Sequence, residues 1–261
     1  MDSSLQALVT WKSLAVGAWL GALFLAERLF PAAPWPGSGP WSPGNWRRVL
    51  RNALLWAVNL GLSPLVVLPL TAWAVAVAPH WRPGWWQGWP GLMLDLLLLD
   101  FLIYWWHRAN HEVPLLWRFH RVHHLDRFLD TSSALRFHFG EVLLSALARA
   151  AVVVALGFPF ASVLIFEGLL LVVTIFHHSN LRLPTAVERA LALAVVTPSI
   201  HWVHHRRVRR DTDSNYSTIL SVWDRLFGSR SATSRDPAMP IGVEGQEEAG
   251  IAGLIVGPFR P

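Results

Sequence analysis

Residues 107–124 read HRANHEVPLLWRFHRVHH, directly after 92–106, LMLDLLLLDFLIYWW. A run greasy enough to enter a bilayer stops where five of eighteen positions become histidine. The apolar half sets the environment. A spanning helix needs about 20 mostly apolar residues, and 89–106 nearly supplies them, even with Asp95 and Asp100 inside. The polar half sets the chemistry. Residues three and four apart share a helix face, so His107 and His111 (HxxxH) present two imidazoles on one side. His120, His123 and His124 (HxxHH) present three within an arc of about 100°.

Composition extends the membrane reading to the whole chain. Hydrophobic residues make up 53% of the 261 and charged residues only 15%, against about 25% charged in soluble domains. The net charge is +5, carried by 21 arginines and the single Lys12. A basic balance suits nucleic acid or anionic lipid. No basic stretch stands apart from apolar segments here, so lipid is favoured and no nucleic-acid partner is expected. The absence of cysteine excludes disulfides, thiolate metal sites and cysteine nucleophiles. No cleavable leader is evident, because the first apolar run begins near Ser13 with only Lys12 before it.

Five stretches qualify or nearly qualify as spans: 13–30, 53–78, 89–106, 142–157 and 160–176. The second holds Pro64 and Pro69 and reads as one kinked span or two half-helices. The last two are short, are joined by Phe158 and Pro159, and read as a hairpin whose full crossing is left open. Arg149 and Glu167 lie nine residues either side of Phe158. They should meet at equal depth and pair, since an isolated charge in lipid costs roughly 3 kcal/mol or more. Arginines crowd 31–52, 107–140 and 177–261. The positive-inside rule places those segments in the cytoplasm, and the tryptophan-rich 81–89 becomes the opposite interfacial belt. The expected fold is all-α: a multi-pass transmembrane bundle with a cytoplasmic histidine-rich cap holding a di-metal site. Its parts are N-terminal transmembrane helices (1–88), a catalytic domain (89–230) and a partly ordered C-terminal extension (231–261).

Eleven of twelve histidines fall between 107 and 205; lone His80, in the aromatic belt, receives no role. Beyond the opening stretch come His138, the pair His177 and His178, and a second HxxHH at His201, His204 and His205. The topology delivers every group to one membrane face. One HxxxH alone is weak evidence, but two HxxHH units with it form a polydentate metal site. Eight imidazoles, nine with His178, exceed what one ion can use and suit two ions with four or five ligands each. His177 and His178 point in different directions on a helix, so one of them is not a ligand. Nitrogen donors suit iron, zinc, copper or nickel. The surplus over a closed four-ligand zinc site argues for positions open to substrate or oxygen. Metal-bound histidines usually donate their other ring N–H to a carboxylate or carbonyl; Asp100, Glu141 and Asp213 are candidates. Tyr104 shares a face with Asp100 and His107.

Together, DFLIYWWHRANH, HRVHH, RFHFGE, FHHSN, HWVHHRR and DTDSNYSTILSVWDRLFGS resemble the fatty acid hydroxylase/sterol desaturase superfamily, integral-membrane di-iron oxygenases with histidine boxes. The resemblance covers about 95–230. Ser217 stands where that family usually has glycine, and Phe139 where proline often follows the histidine. The resemblance implies two iron ions, with zinc as a substitute. It implies ligands at His107, His111, His120, His123, His124, His178, His201, His204 and His205, with His138 assisting or as an extra ligand. It implies that O2 is activated and an unactivated C–H bond of a lipid is hydroxylated or desaturated. The sequence has no GxGxxG fingerprint, no cysteine for an iron–sulfur cluster and no room for a haem domain. Electrons are therefore expected from a reductase, cytochrome, ferredoxin or reduced pterin. A bacterial inner membrane is the expected location. Two rival readings are weaker. A zinc hydrolase lacks the second histidine of HExxH after His111 and Glu112. A metal transporter or sensor would hold its ligands near the midplane, not at helix ends.

Overall fold

The computed structural model describes residues 3–79 and 81–260, with side chains from Gln6 onward; His80 lies outside the described residues. Five helices are long and apolar enough to cross a membrane, and no strand beyond isolated bridges forms among the described residues. Helix α1 (Ser3–Leu29) stops just before Pro31, as the backbone ahead of a proline resists the helical region. Helix α2 (Pro43–Leu62) opens on Ser42, whose Oγ accepts the Asn45 N–H at 3.4 Å, with Pro43 in the first turn.

Pro64 and Pro69 do not break the second span. A π-helical turn, Ser63–Val67, carries α2 into α3 (Leu68–Val77). The wider turn makes room for a proline ring and a missing N–H. The result is one helical run of 35 residues, about 52 Å long. That exceeds the ~30 Å hydrocarbon core. Its first turns hold the polar residues Asn45, Arg48 and Asn52, all buried, with Arg48 and Asn52 bonded to Asp126 in the loop after α5.

Helix α4 (Gly88–Glu112) runs past the expected end at residue 106 and carries His107 and His111 on its last turns. Pro114 then starts α5 (Pro114–His124), which bears the first HxxHH. Helices α6 (Phe139–Leu156) and α7 (Phe160–His178) form the hairpin. At 18 and 19 residues both are long enough to cross. Gly157 turns the corner at φ +65°, and a Cβ there would sit 3.2 Å from the Pro79 carbonyl. Arg149 reaches Glu167 at 3.4 Å, as their equal spacing from the turn predicts. Lys12 of α1 adds a second cation at 3.1 Å, which the hairpin pattern could not reveal.

Helix α7 packs on α1 and α4, and α3 on α6, around Ala74, Leu99, Val153, Phe158, Val163 and Phe166. At the end away from the histidines, Trp81, Trp85 and Trp89 are exposed. There Arg82 neutralises buried Asp95, which also accepts from Trp86 Nε1 (2.8 Å) and Ser162 Oγ (2.6 Å). At the histidine end, short helices follow: α8 (Thr185–Leu191), α9 (Pro198–His204), α10 (Arg209–Thr212), α11 (Val222–Leu226) and α12 (Ile251–Val256).

The segment after 230 is less separate than its composition suggests. Met239 and Ile241 share a core with Phe128, Leu129, Trp202 and Val203, and Leu254 packs on Leu55 and Val122. A polar sequence rich in glycine and proline conceals these few apolar anchors. Leu23 of α1 likewise packs with Ala134 and Ile175.

Candidate metal centre

Nine histidines converge from four segments and divide into two groups: His107, His111, His120, His124 and His204; and His123, His178, His201 and His205. Within each group one ring nitrogen per residue lies within 4.8 Å of the others. Helices α4 and α5 supply five of the nine at a turn, α7 supplies His178 at its last residue, and α9 with its cap supplies three. Each HxxHH divides between the groups: His120 and His124 go one way and His123 the other, while His204 parts from His201 and His205.

The ring orientations are fixed from behind. His107 donates from Nδ1 to the Tyr216 carbonyl (2.8 Å), His123 to Arg136 (3.1 Å), His178 to Thr174 (2.8 Å) and His204 to Ser214 (2.6 Å). His120 donates to Glu141 Oε1 at 2.7 Å. A neutral imidazole has one N–H, so each of these five rings presents Nε2 as a lone pair. The consequence is sharpest for His123 and His178. Both spend their N–H on a carbonyl, yet their Nε2 atoms face each other at 3.0 Å. Two acceptors at that distance repel unless a cation is shared between them. His178 and His201, and His201 and His205, also approach at 3.0 Å through Nε2. His204 Nε2 and both nitrogens of His111 are buried with no hydrogen-bond partner. Buried polar atoms are rarely left so, and the donor set fits metal ions.

Electrostatics agree. Burial, and then neighbouring histidines, pushes His123, His124, His201 and His205 well below the ordinary imidazole value. His204 falls to about 3 through burial, although the Ser214 carbonyl works the other way. The rings are neutral at physiological pH, which is the ligating form.

The loop 211–229 explains part of this order. Asn215 adopts φ +53°, a left-handed conformation that asparagine tolerates. That turn lets the flanking carbonyls of Ser214 and Tyr216 reach His204 and His107. Asp224 fastens the loop by accepting from Tyr216 N (2.7 Å) and Ser217 N (3.0 Å). Behind His123, Arg136 donates to Val122 O and Asn52 Oδ1. Arg48 pairs with Asp126 and Asp130 to brace the same loop.

Several candidates stand elsewhere than expected. Asp100 meets no histidine: it accepts from Ile219 N, Leu220 N and Trp223 Nε1, the last at 2.8 Å. An acid buried inside a span took the nearest orphan N–H groups instead. Tyr104 bonds Ser229 Oγ at 2.9 Å and stacks on Phe227, so it supports the loop and not a ring. His138 has both nitrogens occupied: Nδ1 accepts from Gly140 N and Nε2 donates to the Ile255 carbonyl. It caps α6 and joins neither group. Asp213 approaches His111 Nδ1 at 3.4 Å without hydrogen-bond alignment, its other oxygen being held by Arg209. His177 lies outside both groups, its ring centroid 4.0 Å from that of His201 and both nitrogens unpartnered. The supporting carbonyls of Thr174, Arg136, Ser214 and Tyr216 carry no sequence signal, because every residue has one.

Comparison with known proteins bears on the same residues. Over 204 residues the chain is 29% identical to ornithine lipid hydroxylase OlsE of Rhizobium tropici, covering 78% of this chain and 61% of that one. It is 32% identical to human alkylglycerol monooxygenase over 51% of this chain and 29% of that one. It is 31% identical to fatty acid hydroxylase vlmA of a Lecanicillium species over 64% and 51% respectively. The chain thus matches less than two thirds of each relative's length. No solved structure matches it. The sequence profile described as fatty acid hydroxylase covers residues 92–229, more than half of the chain and all nine grouped histidines. The chain belongs to the fatty acid hydroxylase family.

Proposed function

We propose that the chain is a membrane-bound di-iron oxygenase that hydroxylates or desaturates an unactivated C–H bond of a lipid, using O2 and external electrons. One observation carries this reading. A cavity of about 250 Å³ borders both histidine groups at once, through His107 and His120 of one and His123, His178 and His201 of the other. Its walls are mostly apolar, with Ile103, Trp106, Phe137, Val142, Leu170 and Leu171. Glu141 and Arg149 both line it, two helical turns apart on α6, or about 12 Å. A chain segment of a lipid fits this shape, with its target carbon at the histidines.

The nine grouped histidines would hold the ions, five on one and four on the other. When bound, two iron ions supply O2 activation and hydrogen abstraction. The chain's own residues do the rest. Carbonyls of Thr174, Arg136, Ser214 and Tyr216 hold the imidazole N–H groups away from the centre. Glu141 does so for His120 and adds negative charge beside it, which raises the ring's donor strength. The apolar walls exclude water and hold the lipid still, so that one carbon is presented. The names of the relatives, an ornithine lipid hydroxylase, an alkylglycerol monooxygenase and a fatty acid hydroxylase, support a lipid substrate. Zinc suits the same nitrogen donors and is the expected substitute. Arginine placement supports a centre on the cytoplasmic side; the reading further takes the membrane to be a bacterial inner membrane and the electrons to come from a separate reductase, cytochrome, ferredoxin or pterin.

The test is oxygen uptake by iron-loaded protein in liposomes made from a bacterial lipid extract, with a reductant and oxygen-18 gas. The reading expects lipid-dependent uptake, and a lipid product that carries the label or has lost two hydrogens. Metal-loaded protein that consumes no oxygen with any of the four donor classes contradicts it.

A further inference from the structure

A second cavity, of about 470 Å³, lies beside α9. Helix α9 turns His201 and His204 toward the metal groups, and Ile200 and Val203 toward this space. The opposite wall is α8 together with residues 230–235. Arg189, Arg230 and Arg235 all border the cavity, with six serines and threonines and the single acid Glu188. Glu188 is engaged in accepting the Ser199 N–H at 2.9 Å. Nearby Arg206, Arg207 and Arg209 each pair with a carboxylate. None of the three cavity arginines enters an ion pair among the described residues.

Arg235 is the most informative of them. Its guanidinium lies over the Trp202 ring at 4.0 Å. Its Nε and Nη2 are nonetheless buried without an acceptor, as is Thr197 Oγ1 on the same wall. Burial lowers the Arg235 pKa only to about 10, so the group is cationic at neutral pH. The fold therefore keeps a buried guanidinium edge and a hydroxyl without hydrogen-bond partners, with Glu188 as the one carboxylate of the cavity acting on Arg235. The site's level is also defined. Helix α8 begins seven residues after His178, where α7 ends, and it exposes Val187 and Leu191, with Leu193 just beyond. An apolar outer face beside the end of a spanning helix is suited to the membrane–water boundary.

We propose that this cavity binds a phosphate group. The Ser231 and Thr233 hydroxyls donate to Asp211, which leaves three arginines and the Thr197 hydroxyl; these exceed what the two oxygens of a carboxylate can use and match the oxygens of a phosphate, for which arginine forks are suited. The phosphate can belong to a lipid headgroup reached from the interface or be free in solution. The site is separate from the metal centre and does not rest on the oxygenase reading.

Purified metal-loaded protein in uncharged detergent is titrated with inorganic phosphate and, separately, with dihexanoyl phosphatidic acid, at matched chloride and ionic strength. Binding is followed by phosphorus NMR and thermal unfolding. At least one probe should bind saturably, and Arg230→Gln, at an exposed position, should weaken it tenfold or more. Arg235→Lys, which keeps the charge but loses the fork, should do the same, while Arg182→Gln, outside the cavity, should not. Binding of phosphatidic acid alone assigns a lipid headgroup; equal binding of both probes assigns free phosphate. Failure of both probes, binding indifferent to Arg230→Gln, or equal loss in Arg182→Gln overturns the proposal.

Discussion

Single residues behind the histidines decide whether the rings are usable. Glu141 and Asp100 make the contrast: both are buried acids near the centre, but only Glu141 touches a ring. Glu141→Gln should lower metal affinity about 10- to 100-fold with little change in thermal stability. Asp100→Leu should cost about 1–3 kcal/mol for each N–H it strands, those of Ile219, Leu220 and Trp223, and leave metal per folded chain unchanged. Chelator competition alongside thermal unfolding separates the two. The depressed histidines carry a pH signature as well. Unfolded, His204 takes a proton below about 6.5; folded, it does so only near 3. Between those values the unfolded state binds more protons, so stability falls as pH falls. The slope is about 1.4 kcal/mol per pH unit for this residue. Urea unfolding of metal-free native and His204→Gln protein at pH 7, 5 and 4 gives this residue's share as the difference between the two slopes. Equal slopes would mean that the ring is already protonated in the fold.

Elements were legible where periodicity speaks. The five spans, the hairpin and the convergence of the HxxxH and HxxHH units follow from runs of apolar residues and from three- and four-residue spacing. How each HxxHH divides between two groups was not legible, because it depends on crossing geometry among α4, α5, α7 and α9. Asp100, Tyr104 and His138 misled for a related reason. Proximity along a helix does not say which N–H or carbonyl a distant loop will bring. Continuity of α2 and α3 was open too, since a proline breaks an α-turn but is housed by a π-turn. At the hairpin, Glu167 holds both Arg149 and Lys12. Glu167→Leu leaves two cations unpaired inside spans and should cost about 3 kcal/mol or more. Adding Arg149→Leu should restore part of that. Unfolding in mixed micelles reads both, and a neutral Glu167→Leu would show that water or lipid headgroups reach the triad.

At the scale of the molecule, polarity is segregated along the bundle. Tryptophans and the Arg82–Asp95 pair mark one end, and the histidine cap with its braced loops marks the other. An apolar cavity leads from the cap into the bundle between α4, α6 and α7. Short polar segments from 211 onward, unremarkable in composition, close the cap by supplying carbonyls and a few buried apolar side chains. The account depends on two ions held by two separate histidine groups. The most direct measurement is therefore metal per chain in purified protein grown with iron, for the native chain and for His111→Ala and His205→Ala, one variant from each group. The native chain should carry two ions, and each variant should lose metal, retaining about one ion if the other group still loads. One ion or none in the folded native chain, or two in both variants, would contradict the account.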